Sequence, residues 1–213
     1  MPSARLLRRT FVLLAAAAPL FGARAAQADA TDDALAAVTK ARKDLKTLIA
    51  RFTQVRRVGL LAEEVKSTGE LTVVMPDQLR WELAPPDAIT FWVTKRGIAY
   101  RDGKGKVGKA PPGALGTLLP DLITFLGGDI GSLRARYEIT ASQASDGAVS
   151  ISAVPKNDDA KKALKRLDVV TNAERWGVSK ITILEPSGDS STITFEANKK
   201  NEKVDAAKMK PPA

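Results

Sequence analysis

The sequence predicts an α+β fold: a long antiparallel β-sheet that curls, with an N-terminal helix and a group of short helices on its concave, apolar face. Three observations predict it. From about Arg51, apolar and polar residues alternate in about ten short segments separated by glycine or proline. Ahead of them lies one stretch with apolar residues at helical spacing. Midway comes a leucine-rich stretch broken by Pro120 and Gly127-Gly128. A sheet of that many strands cannot stay flat, and its concave side is where apolar helices can be buried.

The N-terminus sets the compartment. Arg5, Arg8 and Arg9 precede an apolar run from Phe11 to Phe21, and Ala28-Asp29-Ala30 supplies a small-x-small cleavage site. This is the pattern of a secretory signal peptide over residues 1–30, too short to persist as a membrane span, with residues 31–213 as a single domain. Two export routes stay open. Arg8-Arg9-Thr10-Phe11 resembles a twin-arginine signal, and an ordinary Sec signal fits equally. Cleavage after Ala30 lowers the basic and acidic counts from 33 and 24 to 29 and 23, a net charge of +6.

Thr31-Asp32-Asp33 reads as a helix start, with carboxylates at the positive end of the dipole. Leu35, Val38, Leu45, Leu48, Ile49 and Phe52 then recur at helical spacing. The strands follow: 52–58, 64–74, 78–83, 88–93 and 98–102, broken by Gly59, Met75-Pro76, Pro85-Pro86 and Gly97. Short turns between them favour an antiparallel meander. In "QLRWELAPPDAITFWV" (78–93), Leu79, Trp81 and Leu83 alternate with polar neighbours, as do Ile89, Phe91 and Val93. Such an apolar surface serves either a packed core or a pocket for an apolar ligand.

In the middle, Leu115, Leu118, Leu119, Leu122, Ile123 and Leu126 stand at helical spacing, and Pro120 and Gly127-Gly128 should divide the stretch into short helices. Strands resume at 137–142, 148–154, 164–172, 178–184 and 191–197. In the last two, Ile181, Ile183, Ile193 and Phe195 alternate with Lys180, Thr182, Thr192 and Thr194, leaving one face wet. No fixed-period repeat or interdomain linker is visible.

Composition narrows the chemistry. With no cysteine there is no disulfide and no lipid-modified N-terminal cysteine, and with no histidine the usual general base and the commonest zinc ligand are missing. No metal or cofactor is expected. "GKGKVGK" (103–109) lacks the closing Gly-Lys-Ser/Thr of a phosphate loop and reads as a basic turn. Glu63-Glu64 and Asp158-Asp159 are adjacent carboxylates, which on a strand point to opposite faces and make no acid/base pair. A hydrolase would need a catalytic pair, such as Ser-Lys, that no motif marks, so the chain is not expected to be an enzyme. Arg56-Arg57, Lys161-Lys162 with Lys165-Arg166, and Lys199-Lys200 with Lys203 are dispersed, against a nucleic-acid partner. They read as solvated faces, or as docking points for acidic membrane proteins or anionic lipid.

Several segments carry a family resemblance. A helix running into "ARFTQ" (50–54), then "GELTVVMPDQLRWELAPP" (69–86), a leucine-rich segment ending "LGGDIGSLRARYEI", and "ITFEANKKNEKVDAAKMKPP" (193–212) together resemble the periplasmic lipoprotein carrier family LolA. The similarity runs in order along nearly the whole chain after the signal peptide. It implies a strongly curved antiparallel half-barrel of ten to eleven strands, with helices as a lid over an apolar cavity. It also implies a role: sheltering the acyl chains of lipoproteins on their way from inner to outer membrane. Leu79, Trp81, Leu83 and Phe91 match the family's cavity positions, and Leu118, Leu119, Leu122, Ile123 and Leu126 would build the lid. The partners implied are acylated lipoproteins or another envelope lipid, an inner-membrane donor complex and an outer-membrane acceptor, served by a monomer.

One departure stands out. The family carries an arginine just before the proline of the central strand, to which lid closure is attributed, and here that position is Met75. Arg80 cannot substitute, because alternation with Leu79 and Trp81 turns it to the other face. Two other readings therefore stand beside the lipoprotein carrier: a carrier of another envelope lipid, and a lipoprotein-sensing signalling protein on the same half-barrel.

Overall fold

The computed structural model describes residues 21–59, 63–109 and 114–212. The expected signal peptide falls mostly outside them. Helix α1 spans Phe21–Arg42, and the strands of the first half are β1 (Thr47–Val58), β2 (Glu63–Val74), β3 (Gln78–Leu83), β4 (Thr90–Thr94), β5 (Gly97–Arg101) and β6 (Val107–Lys109). Helix α2 (Ala114–Gly127) and a 3-10 helix η1 (Ile130–Ala135) lead to β7 (Tyr137–Gln143) and β8 (Val149–Pro155). Helix α3 (Asp158–Ala163), β9 (Arg166–Thr171), β10 (Val178–Leu184) and β11 (Ser190–Lys200) complete the chain.

All eleven strands form one sheet in the order β6-β5-β4-β3-β2-β1-β11-β10-β9-β8-β7, and every pairing is antiparallel. Two meanders fan outward from a central seam where the first strand pairs with the last. The edges are β6 and β7, so α2 and η1, which join them in sequence, have to cross the sheet. They cross its apolar face. The sheet is an open half-barrel, and its curl shows in the side chains. β3 and β11 lie three ladder steps apart, about 14 Å on a flat sheet, yet the Trp81 and Phe195 ring centroids are 6.3 Å apart.

Several expectations are corrected. The helix does not begin at Thr31; α1 runs unbroken from Phe21, since the alanine-rich stretch before Thr31 contains nothing that stops a helix. Thr31 instead serves an edge strand, its Oγ1 accepting from Ala141 N and donating to Ala141 O. Helix α1 thereby covers β7, protecting one sheet edge.

Leu48, Ile49 and Phe52 belong to β1 rather than to the helix. Leu48, Ala50 and Phe52 are buried while Ile49 and Arg51 are not, which is a period of two. Pro120 lies midway along α2 without ending it: on the exposed side of the helix it removes a single hydrogen bond; Gly127-Gly128 does end it. The "GKGKVGK" turn contributes the short strand β6. Asp158-Asp159 sit not on a strand but in the first turn of α3, paired with Lys161 and Lys162 three residues on.

The seam is fixed by Asn201, in the left-handed region at φ 59°. Its Oδ1 accepts from Lys46 N at 2.7 Å, and its Nδ2 donates to Asp44 O at 2.8 Å. Gly69 on β2 leaves room for Phe52, because a Cβ there would overlap the Phe52 ring and Glu82 O.

Candidate functional site

Alternation in β3 turns Leu79 and Trp81 inward, and both are almost fully buried. Register places Leu79 opposite Val93, and Trp81 between Leu71 on β2 and Phe91 on β4. Trp81 meets Phe52 of β1 at 4.7 Å between centroids, and Phe52 meets Phe195 of β11 at 5.9 Å. The tryptophan therefore belongs to a three-ring cluster spanning the central seam. Phe52 and Phe195 were no part of the expected cavity set, because nothing local in the sequence pairs the first strand with the last.

Trp92, four residues from the Pro85-Pro86 turn's Ala88, faces the other way. It is buried on the outer surface, where Nε1 donates to Lys208 O at 2.8 Å and the C-terminal tail covers it. Alternation put it there; the tail buries it.

Leu118, Leu119, Leu122 and Leu126 of α2 are fully buried and Ile123 nearly so, in one cluster with Leu79, Trp81 and Phe91. Leu83 packs against the same cluster but is half-buried. The nine residues expected to line a cavity are thus brought together, five on a helix and four on strands. All but Leu83 are closed to solvent. A cleft of about 680 Å³ touches Phe52, Gly69, Leu83 and Pro85, and its charged lining of Arg51, Glu70, Glu82 and Glu196 forms a cross-strand row that alternation turns away from Trp81.

Three contacts hold α2 down. Tyr137 Oη donates to Asp121 Oδ2 at 2.6 Å, and Arg136 Nη1 lies 2.5 Å from Asp121 Oδ1. Arg42, at the end of α1, donates from Nη1 to Phe125 O at 2.9 Å. Its Nε and Nη2 are buried without partners, and burial pushes the guanidinium down to about 9. At the helix end Met75 packs on Gly127, where any Cβ would overlap its Cε, with Leu45 alongside. So position 75 does touch the helix, through packing, and the arginines that reach the helix are Arg42 and Arg136.

Burial, then the hydrogen bond to Asp121, raises the Tyr137 phenol well above its ordinary value of 10. A raised folded-state value means stability intact below about pH 10 and lost above it, since the unfolded chain then releases the proton first. Wild type should lose up to about 1.4 kcal/mol per pH unit there, and Tyr137→Phe should lose less. Urea midpoints at pH 8 to 11 measure this; equal slopes would remove Tyr137 as the cause.

Among the described residues no group of three His, Cys, Asp or Glu side chains could hold a metal, and no helix is long and apolar enough to cross a membrane. Many cations of the dispersed basic groups are in ion pairs: Arg56 with Glu185 and Asp189, Arg57 with Glu64, and Arg166 with Asp168.

A family model described as "Outer membrane lipoprotein carrier protein LolA" matches residues 43–211. The outer-membrane lipoprotein carrier protein of Pseudomonas fluorescens (strain Pf0-1) is 26% identical over 199 residues, covering 90% of each chain. That of Azotobacter vinelandii (strain DJ / ATCC BAA-1303) is 26% identical over 202 residues, covering 94% of this chain and 93% of its own. Among solved structures, a DUF1329 family protein from Desulfovibrio piger aligns with a TM-score of 0.50 at 6% identity, over 85% of this chain and 97% of that one. That likeness concerns the fold.

Proposed function

Because this chain belongs to the LolA family of outer membrane lipoprotein carrier proteins, we propose that it shelters the acyl chains of lipoproteins beneath α2 while they cross the periplasm. The observation that carries this reading is a strongly apolar helix laid across the concave face of an open sheet, its apolar side packed on that face and its polar ties among the described residues limited to three. The physical need is plain. A buried methylene is worth about 0.8 kcal/mol, so an acyl chain of ordinary length costs roughly 10 kcal/mol to expose to water.

In this reading α2 is the lid. Leu118, Leu119, Leu122, Ile123 and Leu126 cover Leu79, Trp81, Leu83 and Phe91 when the carrier is empty, and the same two surfaces take the acyl chains between them when α2 lifts. The Arg42 contact is the weakest tie, since one hydrogen bond holds a guanidinium with two buried unpaired nitrogens. Asp121 is the strongest, with two charged or phenolic partners. Pro120 breaks the ladder of α2 near its outer side, which suits a helix that has to swing. Carriage needs no bond making, and the chain acts as a carrier rather than as an enzyme, with a membrane complex as donor and an outer-membrane protein as acceptor.

Intact-mass spectrometry of the protein isolated from the periplasm tests both compartment and cargo. The expected result is a polypeptide beginning at Thr31 that carries acylated lipoprotein. A free glycolipid in its place would favour a carrier of another envelope lipid. A retained Met1 with no lipid would overturn the reading.

A further inference from the structure

The C-terminal tail, residues 201–212, does more than cover Trp92. It stands away from the strand ends beneath it and leaves a groove of about 580 Å³, separate from the cluster under α2. The floor is apolar, with Val74, Val204, Met209 and Pro211. The rim is charged: Lys95 and Arg96 from the β4–β5 turn, Lys203 and Lys210 from the tail, against Asp77 and Glu202. The two carboxylates are already taken, Asp77 by Lys95 at 3.0 Å and Glu202 by Lys199 at 3.5 Å. Arg96, Lys203 and Lys210 make no ion pair among the described residues and are exposed.

We propose that this groove docks an acidic segment of a partner protein, one in which two or three carboxylates alternate with apolar side chains. Charge complementarity selects the class. Three unpaired cations rim an apolar floor, and they sit on separate parts of the chain, so they suit carboxylates spaced along a peptide better than one compact anion. The floor takes the apolar side chains. A flat membrane surface would meet the cations but leave the floor unfilled. The tail is held by the Asn201 side chain and by the Trp92–Lys208 bond, so the groove exists before the partner arrives.

The probe is a fluorescein-labelled octapeptide alternating leucine with glutamate, titrated into the full chain without its signal peptide. Leucine–glutamine and leucine–lysine versions serve as controls. The acidic peptide should bind at least tenfold tighter than either control and weaken as salt rises. The triple variant Arg96→Glu, Lys203→Glu, Lys210→Glu should lose at least tenfold. Ala206→Trp, which fills the groove from an exposed position, should lose as much without altering the melting temperature. Acyl-chain binding should be unchanged in both variants, so this proposal and the carrier reading can fail separately. Equal binding of all three peptides, binding unaffected by the triple variant, binding only to phosphatidylglycerol vesicles, or a concentration-dependent dimer through this face would each overturn it.

Discussion

Trp81→Ala should destabilise the fold by about 3–5 kcal/mol, the largest effect of any single truncation here. The indole is buried to 2% exposure and packs against both Phe52 and Phe195, which meet across the central seam. Its removal deletes transfer energy and leaves a void that three strands cannot collapse, because their ladders fix the spacing between them. Chemical denaturation at neutral pH measures the loss. The void opens onto the surface proposed to hold acyl chains, so a long-chain fatty acid should restore part of that stability. A loss below 1 kcal/mol would mean the cluster is loosely packed.

The second large effect is that of the ligand on the unmodified protein. A long-chain acyl ligand at a hundredfold excess over its dissociation constant should stabilise the fold by about 2.7 kcal/mol, with a change in tryptophan fluorescence from Trp81. Leu122→Glu should abolish this gain. Leu122 is fully buried between α2 and the sheet, and a carboxylate there has no partner, so it would hold α2 raised toward water. The sheet's own ladders do not pass through α2, so the variant should keep its strand circular dichroism. A wild type indifferent to acyl ligands would make residues 78–93 ordinary core, and the carrier reading would then rest on family membership alone.

Much of this was legible in the sequence because it is local. Alternation placed Leu79 and Trp81 inward and Arg80 on the opposite face, where it too is buried, and the leucine spacing of 118–126 marked an apolar helix. The family segments followed in order along the chain, and the family model spans 43–211. Some local signals misled: Leu48, Ile49 and Phe52 fit a helical period as well as a strand's, and only pairing with β2 and β11 decided between them.

What the tertiary structure alone decided is which surfaces meet. The first strand pairs with the last, which brings Phe52 and Phe195 to Trp81. Arg42 reaches Phe125 across 83 residues of chain, and Asp121 finds Tyr137 at the start of β7 and Arg136 just before it. Trp92 became buried because a tail more than a hundred residues away lies over it. Periodicity tells which side of an element is apolar, since that depends on backbone geometry over a few residues. It carries no record of what covers that side, because closure depends on contacts far apart in the chain that form only when the sheet curls.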